Sequence, residues 1–194
     1  MAGQPAGPPA HARIDAMNGT MHDRRRALFR IAGSLAGGAS GGLVALPAAA
    51  LDRPAGKVIL TVSGALNTHN DANTAAFDLA LFERLPQHSF STRTPWYPQP
   101  RKFNGVRFGD LMKALDSQAT SVRALALNDY RADIPTDDLV RHGAMIASRL
   151  DDRLIAVRDK GPLLIIYPFD ARPELRSAIH YSRAVWQLKG LELR

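Results

Sequence analysis

The chain has 194 residues, of which 45% are hydrophobic and 22% charged, proportions typical of globular rather than disordered proteins. It contains no cysteine, which excludes disulfides, thiolate metal ligands and cysteine nucleophiles. The whole chain has a net charge of +7, and residues 51–194 have a net charge of +4, with the basic residues spread singly. Nucleic-acid-binding proteins usually have a clustered basic face, so no nucleic-acid partner is expected.

The first 50 residues have the pattern of an export signal. A charged segment at residues 24–30 precedes residues 31–46, which carry no charge and are mostly Ala, Gly and Leu. Ala48-Ala49-Ala50 then supplies the small residues that a signal peptidase needs, so we expect cleavage after Ala50 and a mature domain of residues 51–194. The alternative, a buried helix, is disfavoured because two glycine pairs would weaken it.

The charged segment also indicates a route of export. Arg25-Arg26 is followed by two apolar residues, Leu28 and Phe29, at the offset of a twin-arginine signal, and a plain secretory signal is the alternative. Because this signal begins directly after Met21, residues 1–20 are expected to be an untranslated or disordered extension. The mature part has no apolar run of about 18 residues, so we expect a periplasmic protein without a membrane span.

The body of the chain opens with short alternating segments. Residues 57–63 predict a strand whose two faces are both partly covered. Asp78 has the character of an N-cap and predicts a short helix that ends before Pro86. Residues 88–94 alternate and predict a second strand, and the prolines of residues 95–100 predict a connection without regular structure.

The second half of the body is also rich in predicted strands. Short helices are predicted at residues 108–115 and 135–140. Residues 163–167 are entirely apolar and predict a central strand. Further strands are predicted at residues 121–127, 130–134, 144–150, 153–157, 182–188 and 191–193. Of these, residues 144–150 and 153–157 are predicted to form a hairpin across Asp151-Asp152. The pattern predicts an α+β fold, a strand-rich mixed sheet with short helices.

Four segments of the body follow one another in a familiar order. They are residues 103–112, 128–135, 155–168 and 186–191. In this order the body resembles the oxidoreductase molybdopterin-binding domain, the fold of sulfite oxidases, and more narrowly the compact exported members with a single domain. The resemblance implies a molybdopterin cofactor whose molybdenum is held by the pterin dithiolene and by one cysteine thiolate.

The chain differs from that family at both places where the cofactor would be attached, the ligand to the metal and the segment that binds the phosphate. It has no cysteine, and the equivalent position falls at Thr92, with Ser91 beside it. A hydroxyl is a weaker ligand than a thiol because its pKa is far higher, and the alternative for Thr92 is an ordinary β-branched strand residue. Where the family grips the cofactor's phosphate with a His-Gly-x-Pro-x-Arg segment, this chain offers only Lys160, followed by Gly161-Pro162. Standard molybdenum catalysis is therefore not expected.

The same alignment of segments predicts a candidate pocket. Its residues combine aromatic faces with cations, which suits a flat or anionic ligand; the alternative is that the aromatics are half-buried packing residues. The candidate residues are Thr92, Arg93, Trp96, Tyr130 and Lys160. A wider cluster adds Tyr97, Arg131, Tyr181 and Arg183.

Two hypotheses about function remain open from the sequence. In the first, the domain binds a small ligand, or a membrane or periplasmic protein partner, without a metal. In the second, it is a molybdopterin-dependent oxidoreductase with a hydroxyl ligand, Thr92, or an open site on the metal. The histidines of the body show no recognisable ligand spacing, so no other metal site is expected. They are His69, His88, His142 and His180.

Overall fold

The computed structural model describes residues 51–194, and the predicted extension and export signal lie outside them. The described strands are β1 (Val58–Gly64), β2 (Ala75–Asp78), β3 (Gln87–Thr94), β4 (Tyr97–Arg107), β5 (Ser121–Ala126), β6 (Arg131–Pro135), β7 (Met145–Leu150), β8 (Arg153–Leu154), β9 (Leu164–Ile166) and β10 (Leu188–Leu193). The helices are α1 (Leu79–Arg84), α2 (Phe108–Ala114), α3 (Thr136–Arg141) and α4 (Ala178–Arg183), with 3₁₀ turns at Val157–Asp159 and Pro173–Leu175. This content confirms the predicted strand-rich α+β fold.

The first sheet has the strand order β2-β1-β10-β5-β6. Its pairs are antiparallel except for β1 and β10, which run parallel with Thr61 opposite Gly190, so the sheet is mixed as predicted. Leu60 and Val62 of β1 are fully buried, which places one face of the sheet against the core. β2 was not predicted, because all four of its residues are buried and the segment has no alternation to recognise.

The second sheet joins β3, β4 and β7, with β8 and β9 both pairing to β7. The β7–β8 hairpin was predicted, and Asp151 and Asp152 at its turn both have positive φ, as a tight primed turn requires. Residues 163–167 were predicted to form a central strand. A strand is present there as β9, but it does not lie at the centre of the sheet, so this part of the prediction is wrong. β9 is buried, yet its only strand partner in residues 51–194 is β7; on its other side the Ile165 N–H donates to the Val185 carbonyl at 2.9 Å.

The proline-rich segment is part of β4, so the prediction of an irregular connection there is wrong. Tyr97 pairs with Thr94 and Arg101 with Thr92, which leaves Pro98 and Pro100 in a bulge between the two pairs. The pairing of β4 with β7 begins only at residue 103, so the prolines face no partner strand on that side. Proline is tolerated in strands at such edge and bulge positions, because it has no N–H to donate.

The end of the chain also differs from its prediction. A strand was expected at residues 182–188, but Ser182 and Arg183 lie in α4, and β10 is one strand over Leu188–Leu193. Ser177 caps α4 by accepting a hydrogen bond from the His180 N–H, a signal that the sequence offered and that was overlooked. Among the helices of residues 51–194, none is long and apolar enough to cross a membrane.

Candidate functional site

The structure brings two of the five predicted pocket residues together in an aromatic pocket of about 260 Å³. Trp96 comes from the turn between β3 and β4, Tyr130 from the turn between β5 and β6, Tyr181 from α4, and Trp186 from the segment before β10. The remaining lining residues are Asn128, Ser182 and Ala184. Four elements of the chain therefore contribute aromatic walls, and we call this cavity the aromatic pocket.

The walls of the aromatic pocket are held in place by contacts between rings. The Trp96 ring lies nearly perpendicular to the Trp186 ring at 4.6 Å between centroids, and to the Tyr181 ring at 6.1 Å. Edge-to-face pairs of this kind are favoured by the charge distribution of aromatic rings. The Tyr130 hydroxyl donates to the Ser182 carbonyl at 2.9 Å, which ties the β5–β6 turn to α4.

Local turn chemistry explains why Trp96 and Tyr130 lie at this end of the sheets. The buried Thr94 hydroxyl accepts from the N–H groups of Trp96 and Tyr97 at 3.3 and 3.2 Å. In the other turn, Asp129 has a φ of +63°, and the Asn128 side chain accepts from the Tyr130 N–H at 3.2 Å. Thr, Asn and Asp side chains stabilise turns in this way, so the sequence sets both turns.

Lys160 is joined to the aromatic pocket through Trp186 and does not itself line it. Its ammonium lies 4.8 Å from the centroid of the Trp186 ring and 5.0 Å from that of Tyr97, a double cation–π contact. Arg101 approaches the same Tyr97 ring at 5.0 Å. Burial raises the pKa of Tyr97 despite the charge of Arg101, so its hydroxyl stays protonated at neutral pH.

The other two predicted residues, Thr92 and Arg93, lie in β3 outside the lining of the pocket. Thr92 is fully buried, and its hydroxyl accepts from the Asp170 N–H at 3.0 Å and donates to the Arg93 carbonyl at 3.3 Å. The Arg93 side chain is 67% exposed, 3.9 Å from the Asp170 carboxylate. Asp170 follows Phe169, whose ring lies 6.4 Å from that of Trp96, so Thr92 and Arg93 are connected to the pocket only indirectly, through Asp170 and its neighbour.

The wider predicted cluster does not converge. Tyr181 lines the aromatic pocket and Tyr97 lies under Lys160, but Arg131 is exposed on β6 and Arg183 points to a separate carboxylate. Trp186, which the sequence analysis did not include as a site residue, contributes more to the pocket than either arginine. Its signal was available, because it is one of only two tryptophans in the chain and the other, Trp96, was selected.

A second group of polar residues surrounds the buried Asp138 of α3. The Tyr167 hydroxyl donates to Asp138 Oδ2 at 2.7 Å, and Arg183 Nη1 lies 3.1 Å from Asp138 Oδ1. Nε2 atoms of His180 and His142 lie 3.3 and 3.7 Å from the same Oδ1. The structure thus gathers two histidines that the sequence spacing had left unrelated. We call these five residues the Asp138 cluster.

The charges of the Asp138 cluster support one another. Burial raises the pKa of the Asp138 carboxyl, but the Tyr167 hydroxyl, Arg183 and His180 more than offset it, so that this pKa lies below its usual range. Burial and the hydrogen bond to Asp138 raise the pKa of Tyr167 far above its ordinary value. The cluster therefore holds an ionised carboxylate beside a neutral phenol.

A larger depression than the aromatic pocket lies elsewhere, on the outer face of the first sheet. This groove has a volume of about 630 Å³ and is lined mostly by apolar side chains, with Lys57 and Lys189 as its charged residues. It is lined by Lys57, Val58, Ile59, Thr61, Ser63, Leu125, Leu127, Val157, Pro162, Leu188, Lys189, Gly190 and Leu191. The lining of this groove has no aromatic ring and none of the five predicted pocket residues, so the aromatic pocket is the better candidate site.

Comparison with known proteins connects this fold to a solved structure. The sulfane dehydrogenase SoxCD from Paracoccus pantotrophus matches with a TM-score of 0.53 and 11% identity. The match covers 69% of this chain and 37% of that chain, so the present chain spans just over a third of its length. The domain has the sulfite oxidase fold. No family model and no curated protein matches the chain, and at this identity the likeness concerns the fold alone.

The sulfite oxidase fold implies a molybdopterin cofactor, but the residues present do not fit the attachment of its metal. No thiolate exists in the chain, and the Thr92 hydroxyl is enclosed with its donor and acceptor functions both used. Lys160, the remaining counterpart of the phosphate grip, stacks on two aromatic rings. Molybdenum is usually held by a soft, strongly donating ligand, and no metal-based step follows from this donor set.

Proposed function

We propose that this chain is an exported periplasmic domain that binds a small flat or anionic ligand in the aromatic pocket, without standard molybdenum catalysis. The observation that carries the proposal is the pair of perpendicular tryptophans, Trp96 and Trp186, which form the pocket together with Tyr130 and Tyr181. Aromatic walls offer large contact areas to a flat ring at little cost in side-chain entropy.

The charge beside the pocket favours an anion. Lys160 lies 4.8 Å from the centroid of the Trp186 ring, and its charge makes the electrostatic potential beside the pocket more positive. Ser182 and Asn128 add polar groups to an otherwise apolar lining. A few polar groups at the edge of an apolar cavity are typical of small-molecule sites, where they orient the ligand.

The chain provides its own reporter for this proposal, because both of its tryptophans lie in the aromatic pocket. Titration of the full chain with pterin-6-carboxylate, a flat anionic ring, is expected to change the tryptophan fluorescence and to saturate. Lys160→Met is expected to weaken binding of this anion by about fivefold to thirtyfold, because it removes a partly screened positive charge near the pocket. Neutral pterin is expected to bind both proteins alike.

Arg131→Gln is the matched control, since it removes a cation that was predicted for the site but lies exposed on β6. It is expected to leave binding unchanged. A fluorescence signal that does not saturate, or equal losses in the Lys160 and Arg131 variants, would overturn the proposed pocket.

Molybdenum and pterin content separates this function from the alternative, a molybdopterin-dependent oxidoreductase with a hydroxyl ligand or open site. Protein purified from a host supplied with molybdate is expected to be folded and essentially free of molybdenum. Near-stoichiometric molybdenum, lost in a Thr92→Ala variant, would instead establish the oxidoreductase with Thr92 as the ligand.

A further inference from the structure

Two imidazoles and one carboxylate of the Asp138 cluster have the spacing of a metal site. The ligand atoms of Asp138, His142 and His180 all lie within 4.8 Å of one another. The two Nε2 atoms lie 3.3 and 3.7 Å from Asp138 Oδ1. A tetrahedral zinc ion with bonds of about 2.0–2.1 Å places its ligand atoms about 3.3–3.5 Å apart. The two observed distances are therefore close to those of a coordinated ion.

His142 has unmet hydrogen-bonding capacity in this place. Its side chain is only 10% exposed, and within residues 51–194 its Nδ1 has no hydrogen-bond partner. Its Nε2 faces Asp138 Oδ1 at 3.7 Å, too far for a hydrogen bond. Nε2 therefore makes no hydrogen bond within residues 51–194 and can bind an ion beside Asp138, whereas Nδ1 on the other side of the ring would gain nothing from that ion.

Two of the three ligands, His180 and Asp138, are already held by hydrogen bonds on their far sides, as in known metal sites. Nδ1 of His180 lies 2.9 Å from the Ser177 hydroxyl, which leaves Nε2 to face Asp138. Asp138 Oδ2 accepts from the buried Tyr167 hydroxyl, which leaves Oδ1 to face the histidines. Hydrogen bonds to the far side of each ligand fix its orientation in metal sites of proteins. Asp138 lies in α3, and His142, four residues later, is the residue that caps the end of that helix, so the two side chains lie close together.

We propose that Asp138, His142 and His180 bind a divalent transition-metal ion. Two histidines and one carboxylate are a ligand set used for both zinc and non-haem iron, and zinc binds such sites more tightly than ferrous iron. Such a set leaves at least one coordination position for water or substrate. This site is separate from the aromatic pocket, so each can be tested without the other.

Arg183 competes with the ion for Asp138. Its guanidinium lies 3.1 Å from Oδ1, and two cations cannot share that oxygen without strong repulsion. The Arg183 side chain is 23% exposed and ends α4, so it can turn towards solvent when an ion binds. Such competition predicts that removal of the Arg183 charge tightens metal binding, whereas a purely structural ion pair predicts no such gain.

The first test is calorimetric titration of the untagged full chain with Zn²⁺. One ion is expected to bind, and His142→Gln and His180→Gln are each expected to weaken binding by more than about 100-fold, beyond the loss from changing an outer hydrogen bond. His88→Gln is the control, because His88 pairs with Asp110 outside the cluster. Absence of binding, or equal binding by all three variants, would overturn the proposal.

The second test does not depend on variants that lose a ligand. Arg183→Gln is expected to tighten Zn²⁺ binding by about tenfold or more, since it removes the competing cation. A gain in affinity cannot arise from misfolding. Unchanged or weaker binding would show that Arg183 and Asp138 form only a structural ion pair. Co²⁺ in place of Zn²⁺ is expected to give the intense visible absorption of a tetrahedral site, which His142→Gln removes.

Discussion

Asp78 shows how a single carboxylate can hold two parts of the chain together. It caps α1 by accepting from the Leu81 N–H at 2.8 Å, and it also accepts from the N–H groups of Gly56 and Ala55 at 2.7 and 2.9 Å. The hydrogen bonds from Leu81 and Gly56 lower its pKa, despite the opposing effect of burial. These bonds favour the ionised form in the folded state.

The lowered pKa of Asp78 predicts a loss of stability in acid. Well above the ordinary pKa of an aspartate, about 3.9, the carboxyl is ionised in both the folded and the unfolded state, and its contribution to stability is complete. As the pH falls further, the unfolded state takes up a proton first, and the contribution is lost as the pH passes the folded pKa. The melting temperature of Asp78→Asn, measured by thermal unfolding, should therefore lie well below that of the wild type at pH 7 and close to it near pH 2.

Asp129→Asn is the control for that experiment. Asp129 is a highly exposed turn residue, and Asn adopts its positive φ equally well. The melting temperature of this variant is expected to match that of the wild type across the pH range, because an exposed ion pair such as that with Lys189 contributes little to stability. A constant difference between Asp78→Asn and the wild type at every pH would contradict the proposed role of the charge.

Candidate site residues could be selected from the sequence by their chemical type, but the sequence did not always show which other residues surround them in the fold. Trp96 and Tyr130 were selected as aromatics at the ends of predicted elements, and they line the pocket. Thr92 and Arg93 were selected by position in a resemblance, and their partner Asp170 is 77 or more residues away. Contacts over such separations leave no local pattern. In the Asp138 cluster the spacing of Asp138 and His142 is local and could have been recognised, but His180 is 42 residues from Asp138 and its approach could not.

At the scale of elements, Gly105 decides how closely β4 and β7 can pair. A Cβ atom at Gly105 would lie 2.0 Å from the Ile146 carbonyl oxygen and 2.7 Å from Ala147 Cα, both backbone atoms that cannot rotate away. Gly105→Ala is expected to lower the free energy of unfolding by about 2–3 kcal/mol, because the strands must separate. Denaturation by urea measures this change.

Gly190 in β10 is the matched glycine for the comparison. Its added Cβ would meet its nearest atoms at 3.5 Å, an ordinary van der Waals contact. Gly190→Ala is expected to change the free energy of unfolding by less than about 0.5 kcal/mol. Equal losses for the two variants would mean that the cost arises from strand glycines in general and not from the close approach of β4 to β7.

Elements were predicted well where local chemistry defines them and poorly where the rest of the fold does. The N-cap of α1, the apolar stripe of α2 and the turn of the β7–β8 hairpin are local, and all three were found. The position of β9 depends on the segment after α4, which covers its outer edge. β4 likewise contains prolines only because one side of its first half has no strand partner.

At the scale of the whole molecule, the fold could be predicted from the sequence without any conclusion about the chemistry. The order of four short segments predicted the sulfite oxidase fold, because the order of elements along the chain is what defines a topology. The chemistry depends on a few side chains, and this chain lacks the thiolate that the family uses. A shared fold therefore supports no shared reaction here. α4 contributes to both candidate sites, through Tyr181 and through His180.

The proposed export of the whole chain depends on Arg25 and Arg26. In a bacterial host, we expect fractionation and mass spectrometry to find a periplasmic product that begins at Leu51, the residue after the predicted cleavage site. Changing both arginines to lysine keeps the charge but removes the twin-arginine pattern, so the full-length chain is expected to stay in the cytoplasm. Arg24→Lys is the control and should be exported normally. Export of the double variant would show that a plain secretory signal suffices.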